Sequence, residues 1–187
     1  MTLRALLAAI ALIATPGFAS AQTGGIQVAP VLVSLSPEHT IGSVRLRNGR
    51  ARTAAFEVEA YAWSQANGQD QLTLTNELIV SPGVFEIPAS GEQTVRLGVR
   101  VTSASSESAY RILLRELPRE QQNGVALGFS LEMSLPVFVT PRGAQANVVS
   151  RIEDGRLILT NAGGSYAQIN LQQAQRRLPS PRYLLAG

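Results

Sequence analysis

The chain has 187 residues with no Cys and a single His, and all 16 of its basic residues are Arg, against 13 acidic residues. The lack of Cys excludes disulfides, thiolate metal sites and a Cys nucleophile. The formal net charge of +3 is small and the Arg residues are dispersed, so the sequence does not predict nucleic-acid binding. His39 has no Ser/His/Asp spacing around it and no metal-ligand cluster is present, so we expect no enzyme, cofactor or metal site.

The N-terminus has the features of a secretory signal peptide. Arg4 supplies one positive charge, an apolar run follows from Ala5 to Ala14, and Ala19-Ser20-Ala21 has the small-x-small pattern of a cleavage site. We therefore expect a signal peptide over residues 1–21, cleavage after Ala21 and a secreted mature chain. The apolar run is too short to span a membrane, and no later segment approaches the ~20 apolar residues that stable membrane insertion requires.

Short alternating runs separated by turn residues predict an all-β protein with an immunoglobulin-like β-sandwich over residues 22–141. The predicted strands are Gln27–Leu35, Gly42–Arg47, Ala54–Trp63, Glu77–Val80, Val84–Ile87, Gln93–Val101, Ala109–Leu117 and Val125–Val139. Asp70 and Asp154 both lie close to Gly, and we interpret them as turn residues.

Residues 142–187 predict the start of a second, related sandwich. Strands are expected at Gln145–Ser150, Arg156–Asn161 and Ser165–Leu171. The run that ends at Asn161 resembles the run that ends at Asn48, and an apolar residue follows each Asn after eight positions. So short a segment supplies little apolar core, so we predict an incomplete second domain. Truncation of the chain and loose folding of this part are the two explanations.

The most informative segment runs from Val125 to Val139. Its apolar residues share one parity and therefore form a ridge on one face of a strand: Val125, Leu127, Phe129, Leu131, Met133, Leu135, Val137 and Val139. A strand of this length exceeds the ~5–6 residues that are typical.

Two interpretations of this ridge are open. The whole ridge can pack into its own sandwich, or its first part can be exposed for a partner. Pro136 cannot donate to a strand ladder and predicts an edge or a bulge there. An exposed apolar edge is an aggregation hazard unless a partner receives it. We favour a partner for Val125–Met133 and the core for Leu135–Val139.

Several stretches carry a family resemblance. In chain order they are Val28-Ala29-Pro30, Leu46-Arg47-Asn48-Gly49, Ala62-Trp63, Ser81-Pro82, Glu92–Leu97, Tyr110–Pro118 and Leu135–Pro141. In this order and spacing they resemble the PapD-like family of periplasmic pilus (fimbrial) assembly chaperones. The resemblance implies a periplasmic chaperone with immunoglobulin-like domains that binds, folds and caps pilus subunits by donor-strand complementation and delivers them to an outer-membrane usher.

The resemblance also implies which residues contact a pilus subunit. The donated side chains are Leu127, Phe129 and Leu131, with Val125 and Met133 on either side. When no subunit is present, we expect these side chains to be shielded by partial disorder or in a self-capping homodimer.

One feature departs from the family pattern. The family usually holds the terminal carboxylate of a subunit with an Arg on the first strand and a Lys on the last, and here Leu32 and Pro136 occupy those positions. Arg111 and Arg115 are candidate anchors, with solvated surface Arg as the alternative for both. Glu116 is a candidate for a structural ion pair.

A different class of function also fits part of the sequence. A secreted immunoglobulin-like structural or adhesive module explains the signal peptide and the strands. It does not explain a long apolar last strand, so we take it as the alternative.

Overall fold

A computed structural model of the chain describes residues 24–100, 106–118, 130–170, 172–173, 176–177 and 182–187. These residues form β-strands, turns and loops. None of the described segments is a helix long and apolar enough to cross a membrane. The predicted signal peptide lies outside the described residues.

The strands are short, as the sequence predicts. In chain order they are β1 (Ile26–Ala29), β2 (Val33–Leu35), β3 (Ile41–Asn48), β4 (Ala54–Ala66), β5 (Gln69–Leu74), β6 (Leu78–Ser81), β7 (Val84–Ile87), β8 (Glu92–Val99), β9 (Ser108–Glu116), β10 (Glu132–Val139), β11 (Val148–Glu153), β12 (Arg156–Asn161), β13 (Ala167–Ile169), β14 (Gln172–Gln173), β15 (Arg176–Arg177) and β16 (Arg182–Leu184).

The first ten strands form an immunoglobulin-like sandwich of two sheets. One sheet has the order β1-β3-β8-β6, and the other has the order β2-β10-β9-β4-β5 with β7 also paired to β4. Alternate residues of both sheets face each other and are buried, as in Val44 and Leu46 of β3 and Phe56 and Val58 of β4. The predicted all-β fold and sandwich architecture are confirmed.

Two strand predictions need correction. The predicted strand Gln27–Leu35 is two strands in different sheets, β1 against β3 and β2 against β10. Pro30 lies between them and has no N–H with which to continue a ladder. The strand β5 was missed because its sequence is mostly polar and its residues are all exposed.

The β4–β5 hairpin also corrects the position of Asp70. Asn67 and Gly68 both have positive φ and form the two-residue turn, as this Asn-Gly pair favours. Asp70 therefore lies within β5, opposite Gln65, and not in the turn. Asp154 does lie in the turn of its hairpin, between β11 and β12.

The residues after Pro141 form three two-stranded pieces: β11–β12, β13–β16 and β14–β15. Two aromatic residues of this region, Tyr166 and Tyr183, contact the outer face of the β4–β9–β10 sheet. Phe138 stacks on Tyr166 with ring centroids 3.8 Å apart, and Tyr183 packs against both rings and against Trp63.

Candidate functional site

The ridge enters the core at its C-terminal end. Leu135, Val137 and Val139 of β10 are buried in the sandwich, as predicted. Met133 is half-buried and packs against the edge of that core. Leu131 is half-buried and precedes the strand.

The described part of the long predicted strand begins later than expected. It starts at Glu132, after Ser130 and Leu131. Three of the predicted subunit-contacting residues, Val125, Leu127 and Phe129, lie outside the described residues. Leu131 nevertheless continues the alignment with β9, since its carbonyl oxygen accepts a hydrogen bond from the Glu116 N–H at 2.8 Å.

The first half of β10 lies at an edge of its sheet. Antiparallel pairing to β9 extends over all of Glu132–Val139, whereas parallel pairing to β2 covers only Val137–Val139. Within the described residues, Glu132–Pro136 therefore have no strand on the side away from β9. The prediction that Pro136 marks an edge is confirmed, because the ladder to β2 begins at the next residue.

The face of β9 and β10 that points away from the sandwich core carries a cluster of side chains around Arg111. The Arg111 guanidinium lies 3.8 Å from the centre of the Trp63 ring, in a cation–π arrangement. Its Nη1 donates to the Ser134 hydroxyl at 3.2 Å and its Nη2 to the Asp70 carboxylate at 3.3 Å. From β9, the Arg111 side chain thus contacts residues on β4, β5 and β10.

Two N–H donors in this cluster are unused. The Nε of Arg111 and the Nε1 of Trp63 are buried and have no hydrogen-bond partner among the described residues. Buried donors without acceptors are uncommon in proteins. Burial lowers the pKa of Arg111, and the nearby Asp70 carboxylate opposes that shift. An acceptor that reached this cluster would satisfy these donors.

The second candidate, Arg115, is more fully engaged. Its Nη1 donates to Glu59 at 2.6 Å and its Nε to Glu132 at 3.1 Å. Hydrogen bonding to Tyr61 and Glu132 raises its pKa. With two carboxylate partners in its own chain, Arg115 has less capacity for a further anion than Arg111.

Leu32 and Pro136 stand where the resemblance places the usual basic pair. Leu32 is half-buried in the link between β1 and β2, and Pro136 is buried in β10. Pro136 lies directly opposite Arg111 in the β9–β10 register. The Arg111 side chain is therefore next to the position at which the family usually has its Lys.

The predicted ion pair of Glu116 is confirmed. Its carboxylate accepts from Arg50, which comes from the turn after β3, and both side chains are mostly buried. This pair fastens the end of β9 to the β3–β4 connection and is structural.

Sequence reasoning missed several polar residues around the cluster, notably Asp70, Gln65 and Glu107. Gln65 Nε2 donates to Asp70 and to the Tyr183 carbonyl, both at 2.9 Å. Glu107 accepts from the Thr140 hydroxyl and from the Tyr166 N–H, the latter at 2.8 Å. The Asn-Gly turn was a signal for the hairpin that pairs Gln65 with Asp70. The described residues contain no cluster of three or more His or acidic side chains that could hold a metal ion.

Solved structures show the same fold. A chain of the CsuC–CsuE chaperone–tip adhesion subunit pre-assembly complex from the archaic chaperone–usher Csu pili of Acinetobacter baumannii is similar with a TM-score of 0.70 and 19% identity, covering 86% of both chains. A chain of the Salmonella enterica SafA pilin–SafB chaperone complex is similar with a TM-score of 0.69 and 13% identity, covering 87% of this chain and 80% of the other. The E. coli chaperone DraB is similar with a TM-score of 0.65 and 13% identity, covering 87% of this chain and 82% of the other.

A search of curated protein sequences gave no match. A family model matches most of the chain, however. Residues 25–145 match the N-terminal domain of PapD, described as a pili and flagellar-assembly chaperone. This region contains the whole ten-strand sandwich, including the open edge of β10 and the Arg111 cluster. The chain therefore belongs to the PapD-like family of pilus chaperones.

Proposed function

We propose that this chain is a periplasmic chaperone that binds, folds and caps pilus subunits by donor-strand complementation and delivers them to an outer-membrane usher. The observation that carries the proposal is the open edge of β10 at Glu132–Pro136. An open edge can add a strand of another protein by backbone hydrogen bonding. Solved relatives of the same fold are described as chaperones in complex with a pilin or a tip adhesion subunit, which supports pilus subunits as partners.

The proposed contact residues lie along this edge and immediately before it. They are Val125, Leu127, Phe129, Leu131 and Met133. Met133 shares the parity of Leu135 and Val137 and packs against the margin of the chaperone's own core. Leu131 has the same parity, two positions earlier. Their apolar side chains would complete the core of a subunit, and binding alone would drive the reaction without a cofactor.

We assign the carboxylate anchor to Arg111 rather than Arg115. Arg111 is adjacent to the position of the missing Lys. Among the residues that the structure describes, its buried Nε has no acceptor and its guanidinium contacts one carboxylate, which is partly exposed. A planar guanidinium binds a carboxylate with two parallel hydrogen bonds. A single Arg can therefore do the work of the family's usual Arg and Lys, which lie on two different strands.

The remaining assignments follow from the same proposal. Residues 1–21 direct export to the periplasm, residues 22–141 form the subunit-binding domain, and residues 142–187 belong to a second domain. In the absence of a subunit, the open edge pairs with a second copy as a self-capping homodimer. A secreted structural or adhesive module would not need a strand whose apolar face extends past its own core.

A matched pair of Leu variants tests the donor-strand assignment. Leu131→Ala should leave the free energy of unfolding nearly unchanged and weaken capture of a co-produced pilus subunit, and Leu131→Glu should weaken it further by burying an unpaired carboxylate. Leu135→Ala is the control, four positions later and with the same parity. It should cost ~2–5 kcal/mol of stability, because Leu135 is buried in the sandwich.

The two measurements are urea unfolding and co-purification with the subunit. If Leu131→Ala destabilises the free chain as much as Leu135→Ala, then Leu131 belongs to the chaperone's own core. If Leu131→Glu leaves subunit capture intact, the donor-strand proposal is wrong for this residue.

A further inference from the structure

We propose that Asp70 is a resident carboxylate that occupies Arg111 in the free chain and is displaced when the terminal carboxylate of a bound subunit arrives. This inference rests on the proposed function and adds a regulatory contact to the anchor site. Asp70 would neutralise the charge of Arg111 and hold its side chain in place until the carboxylate of a subunit replaces that of Asp70.

The contact between Asp70 and Arg111 has the properties of a replaceable one. A single Asp70 oxygen lies 3.3 Å from Arg111 Nη2, and the Asp70 side chain is 46% exposed whereas that of Arg111 is 18% exposed. Exposed ion pairs with one long contact contribute little stability. The partner on β5 is thus held weakly, while the guanidinium is fixed by its stack on Trp63.

Asp70 also comes from a strand that can yield its side chain without disturbing the sandwich. Among the described residues, β5 is the outermost strand of its sheet and pairs with β4 alone. Arg111 is on β9, in the interior of the same sheet. A side-chain rotation of Asp70 would open the guanidinium to solvent and leave every strand pairing in place.

Displacement would not leave the Asp70 carboxylate without a partner. Its other oxygen accepts a hydrogen bond from Gln65 Nε2 at 2.9 Å. Gln65 is held in turn by the Tyr183 carbonyl and by the Leu185 N–H, which donates to Gln65 Oε1 at 3.1 Å. After release, Asp70 keeps Gln65 and gains water, so the exchange costs little.

The incoming carboxylate would gain more than Asp70 loses. Arg111 has an unused buried Nε, and a bidentate carboxylate uses two parallel N–H groups of a guanidinium. The unused Nε1 of Trp63 belongs to the same cluster. Asp70 uses one N–H, and the terminal carboxylate of a subunit can use two.

The first test compares Asp70→Asn, Arg111→Gln and the double variant in binding to a co-produced pilus subunit. Asp70→Asn should lower the Kd about threefold to fivefold at low salt, because the variant has no carboxylate at this position to compete with that of the subunit for Arg111. Arg111→Gln should raise the Kd, and adding Asp70→Asn to it should change nothing further. The salt dependence should be steeper for Asp70→Asn than for the wild type, because only the variant gains an ion pair on binding.

The second test needs no subunit. Trp63 is the only Trp of the chain and stacks on Arg111, so its fluorescence reports on the cluster. In a titration with sodium acetate, Asp70→Asn should reach half-saturation at about threefold to fivefold less acetate than the wild type, and Arg111→Gln should not respond.

These outcomes separate the two proposals. If Arg111→Gln weakens subunit binding while Asp70→Asn leaves it unchanged or also weakens it, Asp70 only orients Arg111 and the displacement inference is overturned. If no variant captures a subunit, the proposed function fails. The acetate titration still decides the inference in that case, since equal half-saturation for Asp70→Asn and wild type would overturn it.

Discussion

The chain contains the same asparagine arrangement twice, at the ends of β3 and β12, in different surroundings. The Oδ1 of Asn48 accepts from the N–H two residues later, and its Nδ2 donates to the carbonyl four residues later. Asn161 makes the same two contacts with Gly163 and Ser165. Both Asn residues are almost fully buried.

The strands that lead to these two Asn residues differ in how far their apolar side chains are buried. Val44 and Leu46 of β3 are fully buried by the facing sheet. Their counterparts on β12 are Leu157, which is 58% exposed, and Leu159, which is half-buried. The comparison shows that the local hydrogen-bond motif forms in both places, whereas full burial of the adjoining strand needs a facing sheet of several strands. Among the described residues after Pro141, the sheets have two strands each.

The largest difference is expected when the equivalent Leu residues are truncated. Leu46→Ala should cost ~2–5 kcal/mol, because it opens a cavity in a fully packed core. Leu159→Ala should cost clearly less, since its surroundings can collapse and are partly hydrated. Urea unfolding of both variants measures the two free energies. Equal losses would contradict the comparison and would mean that β12 is part of a core as closed as the first.

The two Asn residues are expected to differ less. Asn48 also donates to the Ile87 and Pro88 carbonyls, so Asn48→Ala leaves several buried groups unpaired and should cost ~2–3 kcal/mol. Asn161 also accepts from the Asn147 N–H and donates to the Leu184 carbonyl, but these groups are only partly buried. Water can replace the lost contacts there, so Asn161→Ala should cost about 1 kcal/mol and act locally. Hydrogen exchange over residues 147–165 would detect that local loss. Global destabilisation by Asn161→Ala equal to that by Asn48→Ala would show that both regions unfold together.

Local patterns account for what the sequence could predict. Alternation identified β3, β4, β8 and β9 nearly to their ends, and the repeated Asn was visible as an echo in the sequence. The burial of Leu135 and Val137 followed from parity on a last strand. Such features depend on a few neighbouring residues or on the side of the strand that faces the core.

Contacts between distant segments could not be predicted in the same way. β5 is polar and exposed, so no hydrophobic period reveals it, and it forms because the Asn-Gly turn folds it back on β4. Asp70 reaches Arg111, 41 positions further along the chain, only through that hairpin. Tyr183 reaches Trp63 only because the last strands return to the first sheet.

The smallest effect is expected at the joint between the two regions, where Glu107 contacts both Thr140 and Tyr166. Burial raises the pKa of Glu107, although its hydrogen bonds from these two residues oppose the shift. The folded chain therefore holds this proton more tightly than the unfolded chain does. The stability that Glu107 contributes is present below the ordinary range of Glu, about pH 4, and is lost as the pH rises through the raised pKa.

Glu107→Gln should remove this pH dependence, because an amide of the same shape can accept from the Tyr166 N–H and carries no charge to desolvate. Glu86→Gln, at an exposed position on β7, is the matched control and should leave the dependence intact. Thermal unfolding and hydrogen exchange of residues 165–169, each followed from about pH 4 upward, measure the effect. Identical slopes for wild type and Glu107→Gln would assign the pH response to another group. A slope lost only in the exchange of residues 165–169 would show that the joint opens without unfolding the first sandwich.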